Sequence, residues 1–198
     1  VTRHGLAVLL PLGKLILTAF IATLIFVCIT YLPIIKLIGM KISDYLKGAF
    51  EPWLIAFTTC SSAAALAVNL EASRKMGASK AIASFAIPLG NTINMNGTSI
   101  YMGVTAVFAA EVFGIDLTLA QQFQIVLMGV LAAVGTAGVP GAGLIMTTLV
   151  FTEVGIPLEA VALIAGIDRI LDMIRTSVTV LGDSLTALVV SKSEGVLG

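Results

Sequence analysis

Apolar residues run through this chain in long blocks, and polar groups interrupt them at a few places in a repeating order. The first block, residues 6–38, is broken only mildly by Pro11, Lys14 and Pro33. It is long enough for one spanning helix, since about 20 residues cross roughly 30 Å of hydrocarbon. Lys36, Lys41 and Lys47 follow closely, and that positive excess puts this end on the cytoplasmic side. Residues 43–76 read differently. Two apolar limbs, 49–58 and 63–70, flank a polar tip made of Thr58, Thr59, Cys60, Ser61 and Ser62. Limbs this short do not cross, and charge marks both outer ends: Lys41, Asp44 and Lys47 on one, Glu71, Arg74 and Lys75 on the other. The pattern predicts a helical hairpin entering and leaving by one face. Its tip must be buried in protein or line a cavity, because lipid cannot satisfy bare backbone groups.

The plan then repeats. Residues 80–112 are apolar except for a centre that runs from Gly90 through Asn91, Thr92, Asn94 and Asn96 to Gly97 and Thr98, which predicts a broken helix. Residues 119–154 give a second hairpin, with limbs 123–134 and 144–151 around a glycine- and proline-rich tip at 135–143. Residues 157–190 form the last span and carry Asp168, Arg169, Asp172, Arg175 and Asp183. Five segments result: a transmembrane helix (1–40), the first re-entrant hairpin (41–79), a broken helix (80–115), a second hairpin acting as a gate (116–156) and a charged helix (157–198). The expected fold is an all-α membrane protein with two re-entrant hairpins. Interrupted helices at corresponding places in two halves point to a transporter binding site near the midplane. A hairpin from each side would make the repeat inverted.

Composition agrees with that solvent. Only 11% of residues are charged against 58% hydrophobic, whereas soluble domains carry about a quarter charged. Basic and acidic residues number 11 each, with no basic patch interleaved with aromatics, so nucleic acid is set aside as a partner. Cys28, Cys60 and the single histidine, His4, have no metal-ligand or disulfide spacing. The sequence starts at Val1 with no signal-peptide pattern and reads as a piece of a longer protein.

The last span carries the chemistry. At about 100° per residue, Asp168, Asp172, Arg175, Thr176, Thr179 and Asp183 fall within an arc of roughly 100°. Ionisable residues in a spanning segment face protein or water and mark ion or substrate paths. An internal ion pair at helical spacing is the plainer reading of Asp172 and Arg175. It leaves Asp183, two turns on along the same face, without a purpose. Arg175 offers a planar fork suited to a carboxylate, Asp172 an acceptor for an ammonium group, and Asp183 a hard oxygen ligand for Na⁺. Together they imply a zwitterionic substrate with an extra carboxylate. Ser61 and Ser62 have no base placed for them, which sets hydrolase chemistry aside; they suit hydrogen bonds to a bound carboxylate.

Four motifs in order carry a resemblance: the tip at 59–62; Pro88, Leu89 and Gly90 leading into Asn94, Met95, Asn96, Gly97 and Thr98; the glycine-rich run 135–143; and Asp172, Met173, Ile174, Arg175 and Thr176 followed by Gly182 and Asp183. Over residues 11–194 the chain resembles the dicarboxylate/amino acid:cation symporter family, the glutamate and aspartate transporters. That resemblance implies a mobile transport domain moving as an elevator, within a homotrimer held by scaffold helices absent from this sequence, in a multi-pass protein of the cell (inner) membrane. It implies no cofactor beyond sodium as coupling ion. Substrate contacts would fall on Ser61, Ser62, Thr98, Val139, Gly143, Asp172, Arg175, Thr176 and Thr179, with Asp172 on the amino group and Arg175 on the side-chain carboxylate. One sodium site would use the carbonyls of Gly90, Asn94 and Thr179 with the Asp183 carboxylate, a second the carbonyls of Thr92, Ala133, Val134 and Thr136, and a third Asn94 and Asn96.

Three departures from the family pattern matter. Asn96 stands where an aspartate usually serves a cation site, and a neutral amide is the weaker ligand for Na⁺. Thr179 replaces a usual asparagine. Neither Cys60 nor Met173 is the arginine many members have, and Arg169, one turn before Met173, is the candidate replacement. The expected function is import of aspartate or glutamate coupled to sodium. The open alternatives are proton coupling, a neutral amino-acid or simple dicarboxylate carrier, and an ion channel or non-transporting subunit.

Overall fold

The computed structural model describes residues 9–198, and within them the chain is helical with no strand. His4 and the first residues of the 6–38 block lie outside the described residues. The first block forms α1 (Leu9–Phe26) and α2 (Leu32–Leu37), joined by one wide π-helical turn, Val27–Tyr31. Pro33 explains the wide turn: it has no N–H to give the carbonyl one turn back. Residues Leu10–Leu37 are long and apolar enough to cross a membrane, as is Asp168–Ser193. Leu10, Leu17, Phe20, Leu24 and Ile29 are exposed, which suits a face toward lipid or further helices.

The first hairpin is α3 (Ile42–Thr59) and α4 (Ser62–Lys75), packed on each other. Both limbs run further out than the apolar stretches 49–58 and 63–70. Their outer turns are amphipathic and their charges suit the helix ends, with Asp44 in the first turn of α3 and Arg74 and Lys75 in the last of α4. The broken helix is α5 (Lys80–Ile93) and α6 (Asn96–Val112). Here the expectation was too wide: only Asn94 and Met95 leave the helical conformation, and residues 90–93 continue α5 because Gly90 still accepts from the Asn94 N–H at 2.8 Å. The second hairpin is α7 (Leu119–Val134) and α8 (Ala142–Val154). Thr118 and Gln121 form a capping box at the start of α7, and Gly141 enters α8 at φ +76°, a left-handed position that favours glycine.

The last segment differs from the single span expected over 157–190. A short α9 (Glu159–Ala165) stops at Gly166 and Ile167, and α10 (Asp168–Ser193) starts at Asp168 itself. Helix α10 is the axis of the molecule. It packs against α3, α4, α5 and α6, and its residues 175–180 are all buried. One apolar cluster joins α1, α6, α7 and α8 to Leu171; another joins α2, α3, α5 and the outer half of α10. Helices α6 and α10 cross so closely that a Cβ at Gly97 would collide with the Arg175 backbone carbonyl, so this position requires glycine.

Several buried polar groups are paired across helices. Tyr45 is buried and its hydroxyl donates to the Leu181 carbonyl at 2.6 Å and meets Ser184 Oγ at 2.9 Å. This contact fixes the outer half of hairpin α3–α4 on α10, far in sequence from both cavity-facing tips. Tyr45→Phe is therefore expected to leave substrate affinity intact while lowering the midpoint of thermal unfolding in detergent by roughly 2–6 °C, as a buried hydroxyl lost from its partners costs ~1–3 kcal/mol. An unchanged midpoint would show that the contact does not hold the hairpin.

Candidate functional site

Helix α10 presents its polar stripe inward. Asp172 and Arg175, three residues apart, are both buried. Asp172 Oδ1 accepts from Arg175 Nε at 3.1 Å, from Arg175 Nη2 at 2.8 Å and from Thr176 Oγ1 at 2.8 Å. Its other oxygen accepts from the Gly141 N–H at 2.9 Å, which ties the second hairpin's tip to the helix. The Arg175 guanidinium lies 4.9 Å from the Tyr101 ring centre, a cation–π arrangement. Tyr101 in turn donates to Asp168 at 2.9 Å. Arg175 Nη1 is buried and has no hydrogen-bond partner among the described residues. Gly143 lies directly against it, and a side chain there would collide with the guanidinium.

The two hairpin tips meet over this pair. Ser61 caps α4, accepting from the Ala64 N–H at 3.1 Å, and donates to the Gly138 carbonyl at 2.8 Å. The Ala63 N–H reaches the same carbonyl at 3.2 Å. Beneath the contact lies a cavity of about 10 Å³ whose walls include Ser62, Thr98, Thr136, Val139, Asp172, Arg175, Thr176 and Thr179. That is room for about one water and no more. An amino acid could occupy this place only after one tip withdrew.

Of the residues expected to meet substrate, the structure brings together Ser62, Thr98, Val139, Asp172, Arg175, Thr176 and Thr179 around the cavity. Ser61 is turned to Gly138 instead, and Gly143 stands behind Arg175. Among the expected cation ligands, Asn94 Nδ2 donates to Asp183 Oδ1 at 2.7 Å and lies 3.5 Å from the Thr179 carbonyl. A Cβ at Gly90 would stand 2.5 Å from Asp183, so those four positions form one cluster. Asn96 Nδ2 donates to Asn94 Oδ1 at 2.6 Å and to the Tyr31 hydroxyl at 3.1 Å. Ala133 and Val134 line a separate recess with Asn96. Thr136 lines the cavity beside Asp172 and Arg175, while Thr92 is exposed with its hydroxyl on the Leu89 carbonyl at 2.7 Å.

Sequence reading passed over Tyr31, Tyr101, Gly138 and Gly141. The two tyrosines carried a usable signal: a phenol inside an apolar span needs a partner for its hydroxyl. The two glycines act through their backbones alone.

A family model described as the sodium:dicarboxylate symporter family matches residues 1–193. The proton/sodium-glutamate symport protein of Geobacillus stearothermophilus is 38% identical over 98% of this chain and 46% of its own length. The proton/glutamate-aspartate symporter of Escherichia coli (strain K12) is 36% identical over 98% of this chain and 44% of its own. The C4-dicarboxylate transport protein of Bacillus subtilis (strain 168) is 37% identical over 97% and 46%. The chain therefore spans about half the length of the curated relatives it matches. With its helical fold, its apolar spans and this match along nearly its whole length, the chain belongs to the sodium:dicarboxylate symporter family, integral membrane transporters rather than enzymes.

Proposed function

We propose that this chain is the substrate- and cation-binding part of a symporter that imports aspartate or glutamate with sodium. The observation that carries the reading is the buried Arg175 guanidinium, which lines a polar cavity and has one nitrogen without a hydrogen-bond partner among the described residues. A buried charged donor left unsatisfied is costly, and a substrate carboxylate would complete it in the bidentate geometry arginine favours. Asp172 would then exchange the Gly141 N–H for the substrate ammonium group. Ser62, Thr98, Thr176 and Thr179 would supply neutral hydrogen bonds around them. Glutamate symport is what the names of two relatives state, and the chemistry of this cavity fits it.

Asp183 with Gly90, Asn94 and Thr179 is the cluster best suited to a coupling cation: one anionic oxygen, with backbone carbonyls at a helix break. Thr92, Ala133, Val134 and Thr136 would form a second site as the hairpin tip settles. Asn94 and Asn96 would form a weaker third, since the Asn96 amide already donates to Asn94 and Tyr31. Proton coupling is the second reading on this point, supported by the relatives whose names state proton symport. A dicarboxylate carrier is the second reading for substrate, supported by the B. subtilis relative's name. It leaves Asp172 facing a ligand with no ammonium group.

In the membrane, α3–α4 and α7–α8 would be re-entrant hairpins from opposite faces, halves of an inverted repeat. Support comes from their charged or polar outer ends and from the meeting of their tips. The α7–α8 tip, joined to the rest by Gly138 and Gly141, would be the gate. The whole unit would move as an elevator against scaffold helices of a homotrimer outside this chain, in a multi-pass protein of the cell membrane.

Two substitutions test the assignment in the full-length transporter. Arg175→Ala should abolish uptake of acidic substrates, with apparent affinity falling about 30-fold or more, while the protein keeps its yield and elution profile. Undiminished aspartate uptake by that variant would refute the role given to Arg175. Asp183→Asn keeps an acceptor for Asn94 but removes the charge. The sodium concentration giving half-maximal uptake should then rise about tenfold or more, and an unaltered sodium dependence would place the coupling ion elsewhere.

A further inference from the structure

We propose that Arg169 is a positioning residue that clasps the tip of the first hairpin to the helix bearing Asp172 and Arg175. The side chain is exposed in the first turn of α10, and its Nη2 donates to the Thr58 carbonyl at 2.8 Å. Thr58 lies in the last turn of α3, where carbonyls have no partner within the helix and a cation is favoured by the helix dipole. The Thr58 hydroxyl is turned back to the Leu54 and Ile55 carbonyls, so Arg169 meets backbone, not side chain.

Two residues on, Cys60 reverses the chain at φ +56°, the one non-glycine at positive φ among the described residues. A side chain holds that conformation only against resistance, and the surroundings must enforce it. Cys60 is buried, and its Sγ lies 3.8 Å from the Arg169 carbonyl. The side chain and the carbonyl of one residue therefore hold both sides of the reversal. Immediately beyond it stand Ser61, which reaches Gly138, and Ser62, which lines the cavity. Asp172 is one turn further along α10 from Arg169. The clasp sets the distance between the hairpin's serines and the charged pair.

The kinetic consequence rests on the transport reading; the clasp itself does not. Loosening the tip weakens contacts to bound substrate and leaves the movement of the domain alone, so KM should change and the maximal rate should not. The test uses the full-length transporter with Cys28→Ser and no thiols elsewhere, so that Cys60 reports on the tip. Arg169→Ala should speed modification of Cys60 by a small methanethiosulfonate about three- to tenfold and raise KM for aspartate by a similar factor, with the maximal rate within about twofold. Arg169→Lys keeps a cation that can reach the carbonyl and should restore most of both effects. Cys60 modification in Arg169→Ala at the parent's rate would overturn the clasp, as would a loss confined to the maximal rate. Should the parent protein itself fail to take up any acidic substrate, the transport reading falls, and the labelling rate still decides the clasp.

Discussion

A carboxylate and a guanidinium on adjacent turns of α10, both withdrawn from water, set the requirements for the rest of the structure. Burying such a pair is expensive unless every remaining hydrogen-bonding position is filled. Around Asp172 they are filled, by Arg175, Thr176 and the Gly141 amide. Around Arg175 they are not, because Nη1 has no hydrogen-bond partner among the described residues. The helix therefore holds a charge whose last partner is left for something else to supply. Gly143, where any side chain would strike the guanidinium, is required by this group, while Gly97 is required by the close approach of α6 to the α10 backbone.

The hairpins and the helix break answer to the same constraint. Only non-helical backbone can bring amides and carbonyls to a point inside the apolar layer, and such backbone survives there only when protein surrounds it. The tips of α3–α4 and α7–α8 meet through Gly138, and at the break the Asn94 side-chain amide donates to Asp183 and the Thr179 carbonyl while that of Asn96 donates to Tyr31. Each interruption leans on α10 or on the opposite tip. The tip contact rests on two hydrogen bonds to one carbonyl, from Ser61 and from the Ala63 amide to Gly138.

Much of this was legible in the residues. Alternation between long apolar blocks and polar tips located both hairpins, and the stripe from Asp168 to Asp183 located the inward face of α10. Boundaries were less legible. The helix break shrank from nine residues to Asn94 and Met95, since a glycine in a helix weakens it without ending it. The stop at Gly166 and Ile167 was missed because no proline or polar run marks it. Tyr101 and Tyr31 were missed because their partners, Asp168, Asn96 and Val178, lie 65 or more positions away. The meeting of Thr58 with Arg169 is of the same kind: helix periodicity says nothing about which tip a first-turn arginine will touch.

The account stands or falls on whether the unfilled side of Arg175 is completed by an acidic substrate whose entry is tied to a cation. Purified full-length transporter in liposomes, given labelled aspartate with an imposed inward sodium or proton gradient, measures this directly. Accumulation above the outside concentration, lost when the gradient is collapsed by an ionophore, is the result this structure calls for. Aspartate that equilibrates no faster than in protein-free vesicles, or a conductance without accumulation, would contradict it.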